Sequence, residues 1–314
     1  MADKKIVVFG ATGAQGSGLV HSILEDPDGE FSVRAVTRDP SSDSAKALAD
    51  KGAEVVKANI DNFEDIKKAL NGAYGAFFVT FFWEHFSPEK EFNNIKNYAK
   101  AASEEGLEHV IWSTLEDTRE IIPLDSDEMP TLQEKYNVPH FDAKGEADKF
   151  FEEYDVPTTY LLASFYWDNM IHFGMGPQRG EDGNLAIAFP MGDKKMAGIA
   201  ADDIGKCAFG IFKKGKEMVG ERIGIAGEHI SFNDVAKSLS DFIGEDVTYH
   251  AVTPEQYRGF GFPGADDLGN MFQFYRDYDV YNSSRDVQRS KELNPELKSF
   301  NEWLDEYGSK IPVD

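Results

Sequence analysis

Between residues 6 and 20 the chain reads IVVFGATGAQGSGLV: an apolar run, three glycines at three-residue spacing, then an amphipathic stretch. Each glycine has a physical task in a strand–turn–helix. Gly10 permits the tight turn, Gly13 lets backbone approach a diphosphate, and Gly16 allows the helix to pack close to the strand. The segment Gly10, Ala11, Thr12, Gly13, Ala14, Gln15 and Gly16 then presents N–H groups and a helix dipole to an anion. Such a loop works only at the start of a βαβ array, and the sequence supplies one. KKIVVFG, FSVRAVT, AEVVKA, AYGAFFVT, EHVIWST and VPTTYLLA are strand-like, and helical patterns such as AQGSGLVHSILED and EKEFNNIKNYAKAASEEG lie between them. Nearly continuous apolar strands between amphipathic helices mark a parallel sheet covered on both faces.

The expected fold is therefore α/β, a doubly wound Rossmann sheet over residues 1–162. Residues 163–314 read as a smaller α+β lobe covering the cleft, with segments free to return to the first domain. In that second part the rhythm shortens: GMGPQRGEDGN separates LAIAFP, a helix near 201–214, ERIGIAG, a helix near 231–243, VTYHAV and aromatic-rich helices. The net charge of −24 argues against direct nucleic-acid binding, which needs clustered Lys and Arg. It reads as a solvated acidic surface or as a face for a basic partner. No apolar run is long enough to span a bilayer, and the start of the chain lacks the layout of a signal peptide. The lone Cys207 reads as a small core residue, and with no disulfide available a reducing cytoplasmic setting fits, with a nuclear share open. No histidine pair has the spacing of a zinc site, so no metal is expected. His85 beside Glu84 reads as loop surface.

An anionic ligand on so acidic a chain needs local positive charge. Arg38, in RAVTRDP at the expected end of the second strand, stands where cofactor choice is made. A guanidinium there favours NADP(H) by bonding the 2′-phosphate and still admits NAD(H). Asp39 works against this preference if its carboxylate faces the ribose. The GxxGxxG spacing points to short-chain and extended reductases. In those enzymes a lysine helix carries a tyrosine four residues before the lysine. HFDAKGEADKFF keeps Lys144 but places His140 at the tyrosine position.

VVFGATGAQG, VTRDP, AEVVKANIDN, NGAYGAFFVTFFWE, HFDAKGEAD and GFPGADDLGNMFQFY together resemble the NmrA-like family of atypical short-chain dehydrogenase/reductases, with animal-type members most similar. The resemblance runs over nearly the whole chain. It implies cofactor contacts at residues 10–16, Arg38, Asn59, Thr80, Phe81 and Lys144, and at Tyr166, Trp167, Asp168 and Asn169. It also implies homodimers, and members that act as NADP(H)-responsive regulators or reduce quinones and phenylpropanoids. The chain departs from the pattern at Ser41, Ser42 and Asp43, where relatives carry basic residues, at Ala58-Asn59 for a Gly-Asp pair, and at Asn93 for a lysine that Lys96 could replace.

Three candidate catalytic groups follow: Ser113 at the end of the fifth strand, Lys144, and His140, which reads either as an alternative proton donor or as a turn residue. Lys144 reads as a nicotinamide-ribose ligand or as the acting group itself. Phe81, Phe82, Trp83, Phe165, Tyr166, Trp167, Phe260, Phe262 and Phe272 form either a flat pocket for an aromatic or quinone ligand or the core between the lobes. An intact phosphate loop beside a missing tyrosine hydroxyl favours a redox sensor whose cofactor state is read by a protein partner. An NADPH-dependent reductase of quinones or enones is the alternative, and a module that binds no cofactor is the third reading.

Overall fold

The computed structural model describes residues 4–313. Six parallel strands come from the first half of the chain: β1 (Lys4–Val8), β2 (Phe31–Thr37), β3 (Glu54–Lys57), β4 (Gly75–Phe78), β5 (His109–Thr114) and β6 (Thr158–Leu162). The helices between them are α1 (Ala14–Glu25), α2 (Asp43–Asp50), α3 (Phe63–Leu70), α4 (Pro88–Glu104), α5 (Pro139–Ala147) and α6 (Lys149–Glu153). Local chemistry sets their ends. Ser87 caps α4 by accepting from the Lys90 N–H, with Pro88 in the first turn. Ser42 caps α2 in the same way through Ala45.

Beyond residue 162 come β7 (Phe165–Tyr166), α7 (Asn169–His172), β8 (Gln178–Arg179), β9 (Leu185–Phe189), β10 (Lys195–Ile199), α8 (Ala201–Lys214), β11 (Arg222–Gly224), β12 (Glu228–Ser231) and α9 (Phe232–Ile243). They are followed by β13 (Val247–Ala251), α10 (Pro254–Arg258), α11 (Ala265–Asp277), α12 (Asp279–Ser284), α13 (Val287–Leu293) and α14 (Phe300–Tyr307). Two small sheets form here, β12-β10-β7 and β13-β9-β8.

The main sheet is seven-stranded, in the order β11-β6-β5-β4-β1-β2-β3. Its seventh strand is the ERIGIAG segment, which the sequence pattern assigns to the second lobe. Instead Arg222, Ile223 and Gly224 pair in parallel with Tyr160, Leu161 and Leu162 and cover the edge that β6 would otherwise expose. Helix α8 also returns to pack on α1. There the two backbones meet at Gly18 and Gly205: a Cβ on Gly18 would lie 2.2 Å from the Asp202 carbonyl oxygen, and one on Gly205 2.2 Å from the Leu19 nitrogen. The second lobe is clasped to the first by Arg285. Its fully buried guanidinium pairs bidentately with Glu116 beyond β5 and bonds the Ala163 carbonyl after β6.

The strand order reverses between β1 and β4, so the crevice beyond their carboxyl ends is where an open α/β sheet binds a ligand. Among the described residues no helix is long and apolar enough to cross a membrane. The α1–α8 contact yields a direct test. Gly205→Ala forces backbone apart rather than a flexible side chain, so it should destabilise the protein by about 1–3 kcal/mol. Urea unfolding followed by circular dichroism would read this as a lower midpoint at unchanged slope.

Candidate functional site

One cleft of about 2040 Å³ opens at the switch point and extends between the lobes. That exceeds the roughly 300–1,000 Å³ of a pocket for one drug-sized molecule. The glycine loop lines the cleft, with Gly10, Thr12, Gly13 and Ala14 exposed. Gly10 has φ +65, and a Cβ there would stand 2.8 Å from Val79. Gly13 caps α1 with no side chain over the helix end, its N–H donating to the Gly10 carbonyl at 2.9 Å. A Cβ on Gly16 would sit 2.3 Å from the Gly10 oxygen. The first turn of α1 carries no acid, which matters in a chain this negative.

Further along the wall stand Arg38, Asp39, Asn59, Thr80 and Phe81. Arg38 is exposed and paired with Glu84 across the cleft mouth. Asp39 is turned to its own loop: its carboxylate accepts from the Ser41 hydroxyl at 2.6 Å and the Ser41 N–H at 2.9 Å, and these bonds hold its pKa down.

At the centre, three elements converge on a buried ion pair. Lys144 Nζ on α5 is 2.5 Å from Glu91 Oε1 on α4 and also donates to Thr80 just past β4. The Thr80 hydroxyl donates to the same Glu91 oxygen at 2.5 Å, and His85 Nε2 stands 3.5 Å from the other. Burial by itself would push the Glu91 carboxyl up. The Lys144 charge and the bonds from His85, Lys144 and Thr80 outweigh it and hold the group near 2. One turn before Lys144, His140 Nδ1 lies 2.6 Å from Asp267 Oδ1 on α11. Ser113 and the neighbouring Thr114 also line the cleft, and the Thr114 hydroxyl is committed to Asp148, to which it donates at 2.6 Å. Tyr166 receives a bond from Gln15, and burial pushes its phenol up to about 12, so it stays protonated.

Three buried polar atoms of residues on this wall find no partner among the described residues: Gln15 Oε1, Asn94 Nδ2 and Ser164 Oγ. Buried polar groups are rarely left unbonded in folded proteins. Together with the glycine cradle they fit a long polar ligand threading the cleft. The outer mouth is apolar, with Phe81, Phe86, Phe173, Phe260 and Phe262 all strongly exposed.

The sequence profile of the NmrA-like family matches residues 2–304. The chain belongs to the NmrA-like family. A relative, the NmrA-like family domain-containing oxidoreductase FrzB of Cladobotryum sp, is 29% identical over 86% of this chain and 83% of its own. Among solved structures, NmrA, a negative transcriptional regulator, in complex with NADP superposes with TM-score 0.77 at 21% identity, covering 96% of this chain and 94% of that one. The NADPH-dependent quinone oxidoreductase QOR2 from Escherichia coli, complexed with NADPH, gives 0.72 at 19% identity, over 96% and 99%. A negative transcriptional regulator and an NADPH-dependent quinone oxidoreductase thus share this fold.

Most of the residues expected at the site stand on the cleft wall: Gly10, Thr12, Gly13, Ala14, Gln15, Gly16, Arg38, Asn59, Thr80, Phe81, Ser113, His140, Lys144, Tyr166, Asp168 and Asn169. Four do not. Ala11 is fully buried behind the loop. Trp167, in the turn that follows β7, packs into the core of the second lobe against Gly198, Phe300 and Trp303. Phe272 is core as well, and Lys96 lies over Phe150, outside the cleft, so it does not replace the lysine missing at Asn93. His85 is turned inward to Glu91 rather than lying on loop surface.

Residues that the sequence reading missed are Glu91, Asn94, Ser164 and Asp267. The first two carried a signal. They occupy inward positions of α4 on the stripe Pro88, Glu91, Ile95, Tyr98, Ala102, where a polar side chain must have a reason to be buried. Removing the Glu91 charge should leave Lys144 buried and unpaired. Glu91→Gln is expected to cost about 3–5 kcal/mol near neutral pH. The folded-state pKa lies below the ordinary 4.5, so the contribution is present above that value and is lost as pH falls toward 2. Unfolding at pH 7 and pH 3 should show the deficit of the variant shrinking in acid.

Proposed function

We propose that this protein is an NADPH-dependent reductase of quinones or of enone-bearing aromatic molecules. One observation carries the reading: a single cleft runs from the glycine loop, past Lys144 and His140, to a mouth lined by exposed phenylalanines. The loop and the unpartnered Gln15, Asn94 and Ser164 atoms suit the dinucleotide, and the apolar mouth suits a flat conjugated acceptor beside it. The oxidoreductase relatives and the structural likeness to a quinone oxidoreductase support this choice. Bound NADPH would supply hydride. The chain would bind it, exclude water and provide a proton.

NADP(H) is favoured over NAD(H) on the strength of Arg38, since Asp39 is occupied by Ser41. A charge-assisted bond of about 1.5–3 kcal/mol corresponds to about one to two decades of affinity. Arg38→Ala should therefore weaken NADPH binding about ten- to hundredfold and leave NADH binding almost unchanged, as read by titration calorimetry. The decisive assay counts NADPH oxidised per protein against a panel of quinones and enones. Many turnovers are expected. A protein that holds NADPH and turns over none of them would sink the reductase reading.

The Arg38–Glu84 pair supports a second role for the same site. A 2′-phosphate competes with Glu84 for Arg38, so binding would release the segment after β4 and change a surface that a protein partner, or a second copy in a homodimer, could read. The sensor reading thus rests on displacement of Glu84. Protease protection of this segment that is identical with and without NADPH would exclude it. Cytoplasmic placement, with a nuclear share in the sensor case, is proposed on composition, and the animal-type affinity on the six stretches that carry the family resemblance.

A further inference from the structure

Helix α5 lines the cleft with His140, Phe141 and Lys144, and the two polar ones stand one turn apart on one face. Lys144 is committed to Glu91 and Thr80. His140 is committed at one ring nitrogen only. Asp267, from the first turn of α11, grips residue 140 twice: Oδ1 stands 2.6 Å from the ring Nδ1, and Oδ2 accepts the His140 backbone N–H at 3.2 Å. An ionised carboxylate only accepts, so the proton of the ring bond sits on Nδ1. Trp83, with ring centroids 4.7 Å apart, and Phe141, edge-on at 4.8 Å, lock the imidazole plane. Among the described residues no protein group bonds Nε2, and it is not one of the fully buried orphan atoms. It is therefore the one polar atom of this ring left for the cleft.

We infer that His140 and Asp267 form the proton-donating dyad of this site, with His140 a catalytic residue and Asp267 its positioning residue. The inference rests on the reductase reading and names the acid that the missing tyrosine leaves vacant. As hydride brings two electrons to the conjugated acceptor, negative charge develops on its carbonyl oxygen. The Nε2–H bond of the imidazolium breaks and an O–H bond forms on that oxygen. Neutral imidazole then regains a proton from water. One acceptor, one NADPH and one proton thus give the reduced product and NADP⁺. A bond that merely pinned the two lobes would require no Nε2 left unbonded by the protein on a cleft-lining residue.

The test uses the full chain with ¹⁵N-labelled histidine rings. Loss of one signal set in His140→Gln assigns residue 140 among the seven histidines. In wild type, without cofactor, Nδ1 should carry a proton whether or not Nε2 carries one as well. Saturating hydroquinone should move the Nε2 resonance and leave Nδ1 in place, and Asp267→Asn should change the tautomer. With NADPH and 1,4-naphthoquinone, kcat should fall about 10²–10⁴-fold in His140→Gln at unchanged NADPH affinity. Added imidazole should restore turnover to His140→Ala. A Nε2 resonance that ignores hydroquinone, or a His140→Gln protein as fast as wild type, would overturn the dyad. If wild type reduces no quinone, the reductase reading falls, and the hydroquinone titration still decides whether Nε2 receives a phenolic oxygen.

Discussion

The buried pair between Lys144 and Glu91 fixes the geometry on which the rest of the site depends. A charge taken out of water costs several kcal/mol, and mutual attraction repays that only with good geometry and satisfied neighbours. Here Thr80 bonds both partners, and Glu91 is held ionised far below its ordinary range. An apolar substitute of equal volume would serve stability as well or better. What the pair determines is position. It ties the end of β4, the first turn of α4 and the middle of α5 to one point, so α5 can neither rotate nor slide without burying a lone charge. His140, one turn earlier, inherits its place at the cleft from that constraint.

A chain with a net charge of −24 must still make room for a polyanion. It does so less by cations than by arrangement. The glycine loop offers backbone N–H groups where no carboxylate stands in the first helical turn, and Asp39 is drawn aside by Ser41. Arg38 is the one guanidinium at the expected ribose position, and it already has an anionic partner in Glu84. Lys144 adds little field because Glu91 neutralises it. Cofactor affinity in such a site depends on dipoles at short range, which salt screens weakly, more than on a positive surface.

What was legible in the sequence was local. Strands β1 to β6 and their helices follow from apolar runs and periodicity, and the glycine loop follows from its context between strand and helix. Which of the later segments returns to the main sheet was not legible, since an edge position is decided by which strand lacks a neighbour and not by the Arg222–Gly224 sequence itself. The resemblance implies Trp167 at the site together with Tyr166, but a turn starts at Trp167 and its ring packs against Phe300 and Trp303 instead. Asp267 lies 127 residues from His140, and nothing near either residue announces the pair. Glu91 and Asn94 were readable in principle, as polar side chains on the apolar stripe of α4.

The absent tyrosine and the neutralised lysine are then one feature rather than two. In short-chain reductases the lysine charge is what lowers the phenol's pKa and makes tyrosine an effective acid. With Glu91 against Lys144, a tyrosine at position 140 would have no uncompensated cation to activate it, and the nearby Tyr166 shows where burial drives an unassisted phenol. Histidine needs no such help, because an imidazolium donates without a neighbouring cation to activate it, and a carboxylate on its far nitrogen is enough to orient it. A lysine committed to structure and an acid supplied with its own carboxylate therefore belong together. A chain that had lost its acid by drift alone would have had no reason to place Asp267, from the other lobe, against the one ring nitrogen that faces away from the cleft.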